Sequence, residues 1–345
     1  MISLQRFTDA DARAGRELLE DVAGESALLA ADRTAAAMFT SACLAAGRLR
    51  AGVAWLRDAG FSVRRLSRVH LTKSQVDRVW LHQAAGFTAE RWDVAARMFC
   101  AGPAVVAVVT PLDEGRSAAE RLKTLQGPSD PERLAARHLR WSLGAVNKIN
   151  NLVHVPDDAA ATVRELPILL GETGARAAWD AVVRGGTTPD TDAAIAGLGS
   201  APFDDGVCFV RSVARLRWRA VLAGEAMVGG SAPAELRSAL SSELEWATGQ
   251  PWGGWRTTRT WSQRFGARRT AGDFARWLGP SSVVTKAMAE LEGVVGADGV
   301  HLGVLEARIA AAGLAPTAWE LLALQTQAVA QQLARADARR TAVTG

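Results

Sequence analysis

The chain has 345 residues, 48% of them hydrophobic and 22% charged, with a formal net charge of +4. This composition excludes a mainly disordered or collagen-like chain, and the length suits two domains or one with a large extension. So small a charge does not argue for nucleic acid as a partner, which would need a concentrated basic stripe.

Along the chain, residues 8–23 read as a helix, with Thr8 as a candidate N-cap and Gly24 as a stop. The run 27–31 (ALLAA) reads as a short buried strand. An amphipathic helix is expected over 45–58, then an alternating strand from Val63 to Leu71. Thr72 and Ser74 are candidate caps of the next helix, near 75–83. Gly102-Pro103 opens the β-branched run AVVAVVT, which should be a central strand. A helix over 117–125, a turn-rich GPSDP loop at 127–131, a polar loop at 147–155 and a helix over 157–166 follow. Residues 185–202 have linker composition. Beyond them lie mixed helical segments, the Trp/Arg/Gly stretch 246–269 and a strongly helical tail, 303–335.

Three cysteines, Cys43, Cys100 and Cys208, form no metal or disulfide framework, so a reducing compartment is expected. The first residues show no apolar signal core, and the longest purely apolar stretch, 104–109, is far below the ~20 residues that span a bilayer. A cytoplasmic protein without membrane contact is the expectation. Tryptophan occurs 12 times and tyrosine not at all, and the 40 basic residues include only four lysines: Lys73, Lys123, Lys148 and Lys286.

No P-loop, zinc-protease or serine-hydrolase motif occurs. Of the five histidines (His70, His82, His138, His154 and His301), only His154 sits in an informative setting. Before it come GPAVVAVV, then Arg121-Leu122-Lys123, Gly127-Pro128-Ser129-Asp130-Pro131 and His138-Leu139-Arg140. Around it stands Asn151-Leu152-Val153-His154-Val155-Pro156-Asp157, and then Thr162-Val163-Arg164-Glu165-Leu166. This order and spacing resemble the nucleoside diphosphate kinase family over about residues 26–170. The family has a GPVVAMV-like strand, an R-x-L-x-G-P-T-D-P turn, a T-I-R-G-D-F segment, N-x-x-H-G-S-D and an A-E-x-E-I helix.

The resemblance implies an α+β fold, a ferredoxin-like antiparallel sheet with flanking helices, and phosphoryl transfer from a nucleoside triphosphate. It makes His154 the phosphorylated histidine and Glu165 the group that orients its ring. Asn151 then lies near the sugar hydroxyl. Arg140, Lys123, Ser129 and Arg33 are implied phosphate-binding residues, Arg33 taking the place of the lysine after the first strand. Mg²⁺ with ATP or another nucleoside triphosphate is the implied cofactor, with no metal held by the protein's own residues. Nucleotides are the implied partners, and a homo-oligomer is the family's habit. The chemistry suits such residues, because an in-line transfer needs a nucleophile amid dispersed positive charge.

The chain also departs from the pattern. Val155-Pro156-Asp157 replaces G-S-D, and Trp141-Ser142-Leu143 replaces G-D-F. One residue is inserted between Arg140 and His154. The family's active-site tyrosine is missing, with Trp80 or His82 nearby, and Glu90-Arg91-Trp92 stands where P-F-F lines the base pocket. Two alternatives therefore stay open: a non-catalytic nucleotide-binding or assembly module, and a kinase of a specialised small-molecule acceptor.

The expected organisation is an N-terminal helix (1–25), a kinase-like domain (26–170), a linker (171–204) and an α-rich C-terminal domain (205–345). The last region holds an echo of the first strand and helix at 283–314, which would put Lys286 at the family's lysine position in a degenerate second copy. The tryptophans and arginines of 246–277 read either as base-stacking and phosphate-binding groups or as core filler with solvated arginines.

Overall fold

A computed structural model describes residues 9–81, 88–113, 117–185, 190–198, 204–252, 254–266, 270–296 and 300–344. The candidate N-cap Thr8 and the site candidate His82 lie outside them. The chain divides into two compact units, Met1–Ala145 with Asn151–Phe203, and Val146–Asn150 with Asp204–Gly345.

The first unit begins with α1 (Ala10–Ala23), capped by Asp9, whose carboxylate accepts from Ala12 N and whose helix stops at Gly24 with φ 52°. Next comes α2 (Ala27–Asp32), where a strand was expected. Its residues, ALLAAD, are mostly strong helix formers, and so short an apolar run has no period that separates strand from helix. The first strand is instead β1 (Ala35–Phe39), followed by α3 (Ser41–Ala45) and α4 (Leu49–Asp58). Gly47, at φ 66°, separates these two helices, so the amphipathic helix starts later than expected.

Strand β2 (Phe61–His70) leads into α5 (Lys73–Val79), which Thr72 and Gln75 open with a reciprocal capping box. Helix α6 (Ala89–Cys100) precedes β3 (Pro103–Pro111), in which Val105, Val106, Val108 and Val109 are all fully buried. Then follow α7 (Ala118–Gln126), α8 (Leu139–Leu143), β4 (Val153–His154), α9 (Ala159–Val183) and α10 (Thr191–Gly197).

The four strands form one sheet in the order β2-β3-β1-β4, with every pairing antiparallel. Helices flank it, which is the ferredoxin-like arrangement. A contiguous core joins the sheet to α1, α5 and α9 through Leu18, Leu19, Met38, Val76, Val106, Val163 and Trp179.

The N-terminal helix is thus part of this unit, because it carries core residues. Helix α9 likewise runs past residue 170. It kinks at Gly171 (φ 69°) and continues through the segment expected as linker, burying Ala175, Ala178 and Trp179. A Cβ at Gly15 would come 2.3 Å from Val163 O, so α1 approaches the α9 backbone directly. Gly15→Ala should therefore destabilise the protein by ~1–3 kcal/mol despite its better helix propensity. Thermal unfolding checks this, and an unchanged midpoint would mean that α1 does not pack there.

The second unit contains only helices among its described residues: α11 (Phe209–Val228), α12 (Ala234–Gly249), α13 (Trp255–Trp261), α14 (Thr270–Leu278), α15 (Val283–Val295), α16 (Leu302–Ala311) and α17 (Ala318–Thr344). The supposed second copy of the first strand, 283–286, forms the first turn of α15, with Lys286 inside it. A helix there removes the ground for the second copy and for Lys286 as a phosphate ligand.

Trp261 is 1% exposed, donates from Nε1 to Glu243 Oε1 at 3.0 Å and lies edge-on to Phe209. Arg217, also buried, reaches both oxygens of Glu243 at 3.0 and 3.1 Å. Arg256, Arg259 and Arg264 are exposed. Trp261 is thus core filler, whereas Trp252 and Trp255 are half-buried.

Candidate active site

The site is built on β4, two residues long and at one edge of the sheet. On one side it pairs with β1, in the register Met38↔His154 and Phe39↔Val153. On the other, side chains take up its carbonyls. Gln126 Nε2 and Arg140 Nη2 both donate to Val153 O, at 3.0 and 3.2 Å, and Lys123 Nζ donates to Val155 O at 3.1 Å. An edge strand with its acceptors filled in this way is held without a further strand.

Just upstream, Leu152 has φ 69°, a left-handed conformation that costs a bulky residue of order 1–3 kcal/mol. Thr40 holds it there, donating to Leu152 O from its backbone N at 3.0 Å and from Oγ1 at 3.2 Å.

His154 is 8% exposed. Its Nε2 lies 2.7 Å from Glu165 Oε2, on α9, and Glu165 is itself 4% exposed. A carboxylate accepts only, so it fixes the imidazole proton on Nε2 and leaves the lone pair on Nδ1. The Trp80 ring, just past the end of α5, lies 4.7 Å from the imidazole at 59° and stacks on Phe99 at 4.4 Å.

Arg164, the residue before Glu165, has no counterpart among the expected site residues. It is 5% exposed and donates to Arg78 O at 2.8 Å and Val79 O at 2.7 Å, with Nη2 also 3.5 Å from Glu165 Oε1. The one sequence signal for it was an arginine beside the glutamate in an otherwise apolar helix face.

The remaining expected residues are placed as follows. Arg140 is 7% exposed, and its Nη1 donates to Gly127 O at 2.8 Å, so its guanidinium bridges two backbone carbonyls. Burial pulls its pKa down to about 10, which leaves it charged at neutral pH. Lys123 also pairs with Asp157 at 2.6 Å and so stays beside the residues that follow His154. Ser129 is exposed on its loop, and Asn151 is half-buried immediately before Leu152.

Arg33 is not brought to the site. It follows α2 and precedes β1, whereas His154 pairs with Met38 near the far end of that strand. The separation is roughly 15 Å at ~3.3 Å per residue. With β1 as the first strand, the position after it, where the family has lysine, is Thr40.

Among the described residues, no group of three or more His, Cys, Asp or Glu could hold a metal ion, and no helix is long and apolar enough to cross a membrane.

The fold is thus a ferredoxin-like sheet whose edge strand carries a buried histidine paired with a carboxylate on the following helix. The model of the family "Nucleoside diphosphate kinase" matches residues 36–174, beginning within β1 and excluding Arg33. A nucleoside diphosphate kinase of Sorangium cellulosum (strain So ce56) is 30% identical over 115 residues, 33% of this chain and 74% of that protein. Among solved structures, the Aquifex aeolicus nucleoside diphosphate kinase is 19% identical and covers 39% of this chain and 93% of its own, with a TM-score of 0.35. An NDP kinase from Pyrobaculum aerophilum is 16% identical, with coverages of 39% and 94% and a TM-score of 0.34. This chain belongs to the nucleoside diphosphate kinase family.

Proposed function

We propose that the chain transfers the γ-phosphoryl group of a nucleoside triphosphate through a phosphohistidine at His154. The observation that carries this reading is the 2.7 Å contact between His154 Nε2 and Glu165 Oε2. With its proton held at Nε2, the ring attacks the γ-phosphorus through the Nδ1 lone pair. The N–P bond forms as the bond from phosphorus to the β–γ bridging oxygen breaks, and the nucleoside diphosphate leaves with that electron pair. Positive charge rising on the imidazole is stabilised by Glu165. In the return half, a terminal oxygen of the acceptor attacks phosphorus, the P–N bond breaks, and the ring recovers its lone pair.

In this reading Mg²⁺ enters with the nucleotide, as part of the MgNTP substrate. Lys123 is a cation beside the histidine segment, and it would exchange Asp157 for phosphate. The acceptor is a nucleoside diphosphate or a related phosphate-bearing small molecule.

One observation favours a second reading, a nucleotide-binding or assembly module without turnover. Thr40 follows β1, where the family pattern has lysine, and Arg140 shares its guanidinium with two carbonyls, so less positive charge is free for phosphate than the family pattern supplies.

The test is incubation with γ-labelled ATP and Mg²⁺. Acid-labile, base-stable label on the wild type that is lost in His154→Ala supports the phosphotransferase. Nucleotide binding without label selects the second reading. Label that nucleoside diphosphates do not discharge points to the specialised acceptor.

A further inference from the structure

Two groups bracket the His154 ring, and both depend on one guanidinium. Glu165 meets the ring at its Nε2 edge, and Trp80 lies against it while stacking on Phe99. Glu165 Oε1 faces Arg164 Nη2 at 3.5 Å. Trp80 is the C-cap of α5, and the last carbonyls of that helix, Arg78 O and Val79 O, accept from Arg164 at 2.8 and 2.7 Å. A helix C-terminus leaves such carbonyls without intrahelical partners and carries partial negative charge, so a buried cation there is well matched. A planar guanidinium reaches two carbonyls and a carboxylate together, whereas an ammonium has no such fork. The next layer out is also charged: Asp11 on α1 grips Arg78 through Nε at 3.0 Å and through Nη2.

We propose that Arg164 is a positioning residue for phosphoryl acceptance at His154. It touches neither the ring nor the phosphate. It aims the free oxygen of Glu165, and so fixes the tautomer of His154, and it anchors the backbone that carries Trp80. The proposal rests on the reading that His154 Nδ1 is the nucleophile.

The test compares wild type, Arg164→Gln, Arg164→Lys, Glu165→Ala and the double variant Arg164→Gln/Glu165→Ala. It measures the initial labelling rate with γ-labelled MgATP, and ¹⁵N NMR of the His154 imidazole in full-length protein. The wild type should show the Nε2–H tautomer, and Arg164→Gln a mixture. Labelling should fall roughly ten- to a hundredfold in Arg164→Gln, the scale seen for groups that orient ligating histidines, and part of it should return in Arg164→Lys. In the Glu165→Ala background, Arg164→Gln should cost less, because the route through Glu165 is already gone and only the anchor of Trp80 remains.

A folded Arg164→Gln protein with wild-type tautomer and rate overturns the proposal. So does a loss of equal size in both backgrounds, which marks a merely structural arginine. If Arg164→Gln does not fold, Arg164→Lys carries the same comparisons. A wild type that takes no label sinks the phosphotransferase reading, while the imidazole spectra still decide whether Arg164 sets the tautomer.

Discussion

Glu165→Gln will lower the rate of His154 labelling by roughly a thousandfold or more while leaving the protein folded. The change is nearly isosteric, so packing around α9 is kept. What changes is which atom faces the ring. Arg164 Nη2 donates toward Oε1, so the carbonyl oxygen of a glutamine would turn to Arg164 and its NH₂ toward His154 Nε2. An amide donor there drives the imidazole proton to Nδ1 and removes the nucleophilic lone pair. Comparable inversion of a histidine's tautomer by an acid-to-amide change costs about 10⁴ in a serine protease triad. Single-turnover labelling with saturating MgATP measures the effect, and unfolding by heat controls for stability. A loss of less than threefold would mean that the His154–Glu165 contact does not serve phosphoryl transfer.

That contact was legible in the sequence only through the family resemblance, which several short motifs in one order carry. His154 and Glu165 lie 11 residues apart, on β4 and in the following helix, and that helix returns across β4 to join them. The sheet was legible more directly, since β3 is a β-branched run that no helix pattern imitates.

Other features were hidden by the short range of the signal. Six residues of α2 contain too little period to exclude a strand, and the misplaced strand carried Arg33 with it. Helix α1 shows its own amphipathicity but not its partner, so nothing local said that Gly15 would meet Val163. Arg164 and Arg140 could be read only as cations. Whether an arginine serves phosphate, a carboxylate or backbone carbonyls depends on chain segments distant in sequence, such as Arg78–Val79 for one and Gly127 with Val153 for the other.

Arg140→Met separates these roles for the residue that the family pattern assigns to phosphate. Methionine has the length to refill the buried volume but donates nothing. Gly127 O would lose its donor, and Val153 O would keep only Gln126 Nε2. Each carbonyl left short of a buried partner costs about 1–3 kcal/mol. Removing a buried charge whose Nε has no partner returns part of this. The expected net loss is ~2–4 kcal/mol, seen as a lower urea midpoint with unchanged slope. The loop after α7 and strand β4 are tied by this one side chain, so labelling of His154 should fall with stability, and raising MgATP should not restore it. A phosphate ligand would behave in the opposite way. Its loss would leave the urea midpoint in place, because the group would face solvent or nucleotide, and would raise the MgATP concentration needed for half-maximal labelling. The two results cannot be confused. The geometry favours the first, since the guanidinium is 7% exposed and donates to two main-chain carbonyls at 2.8 and 3.2 Å.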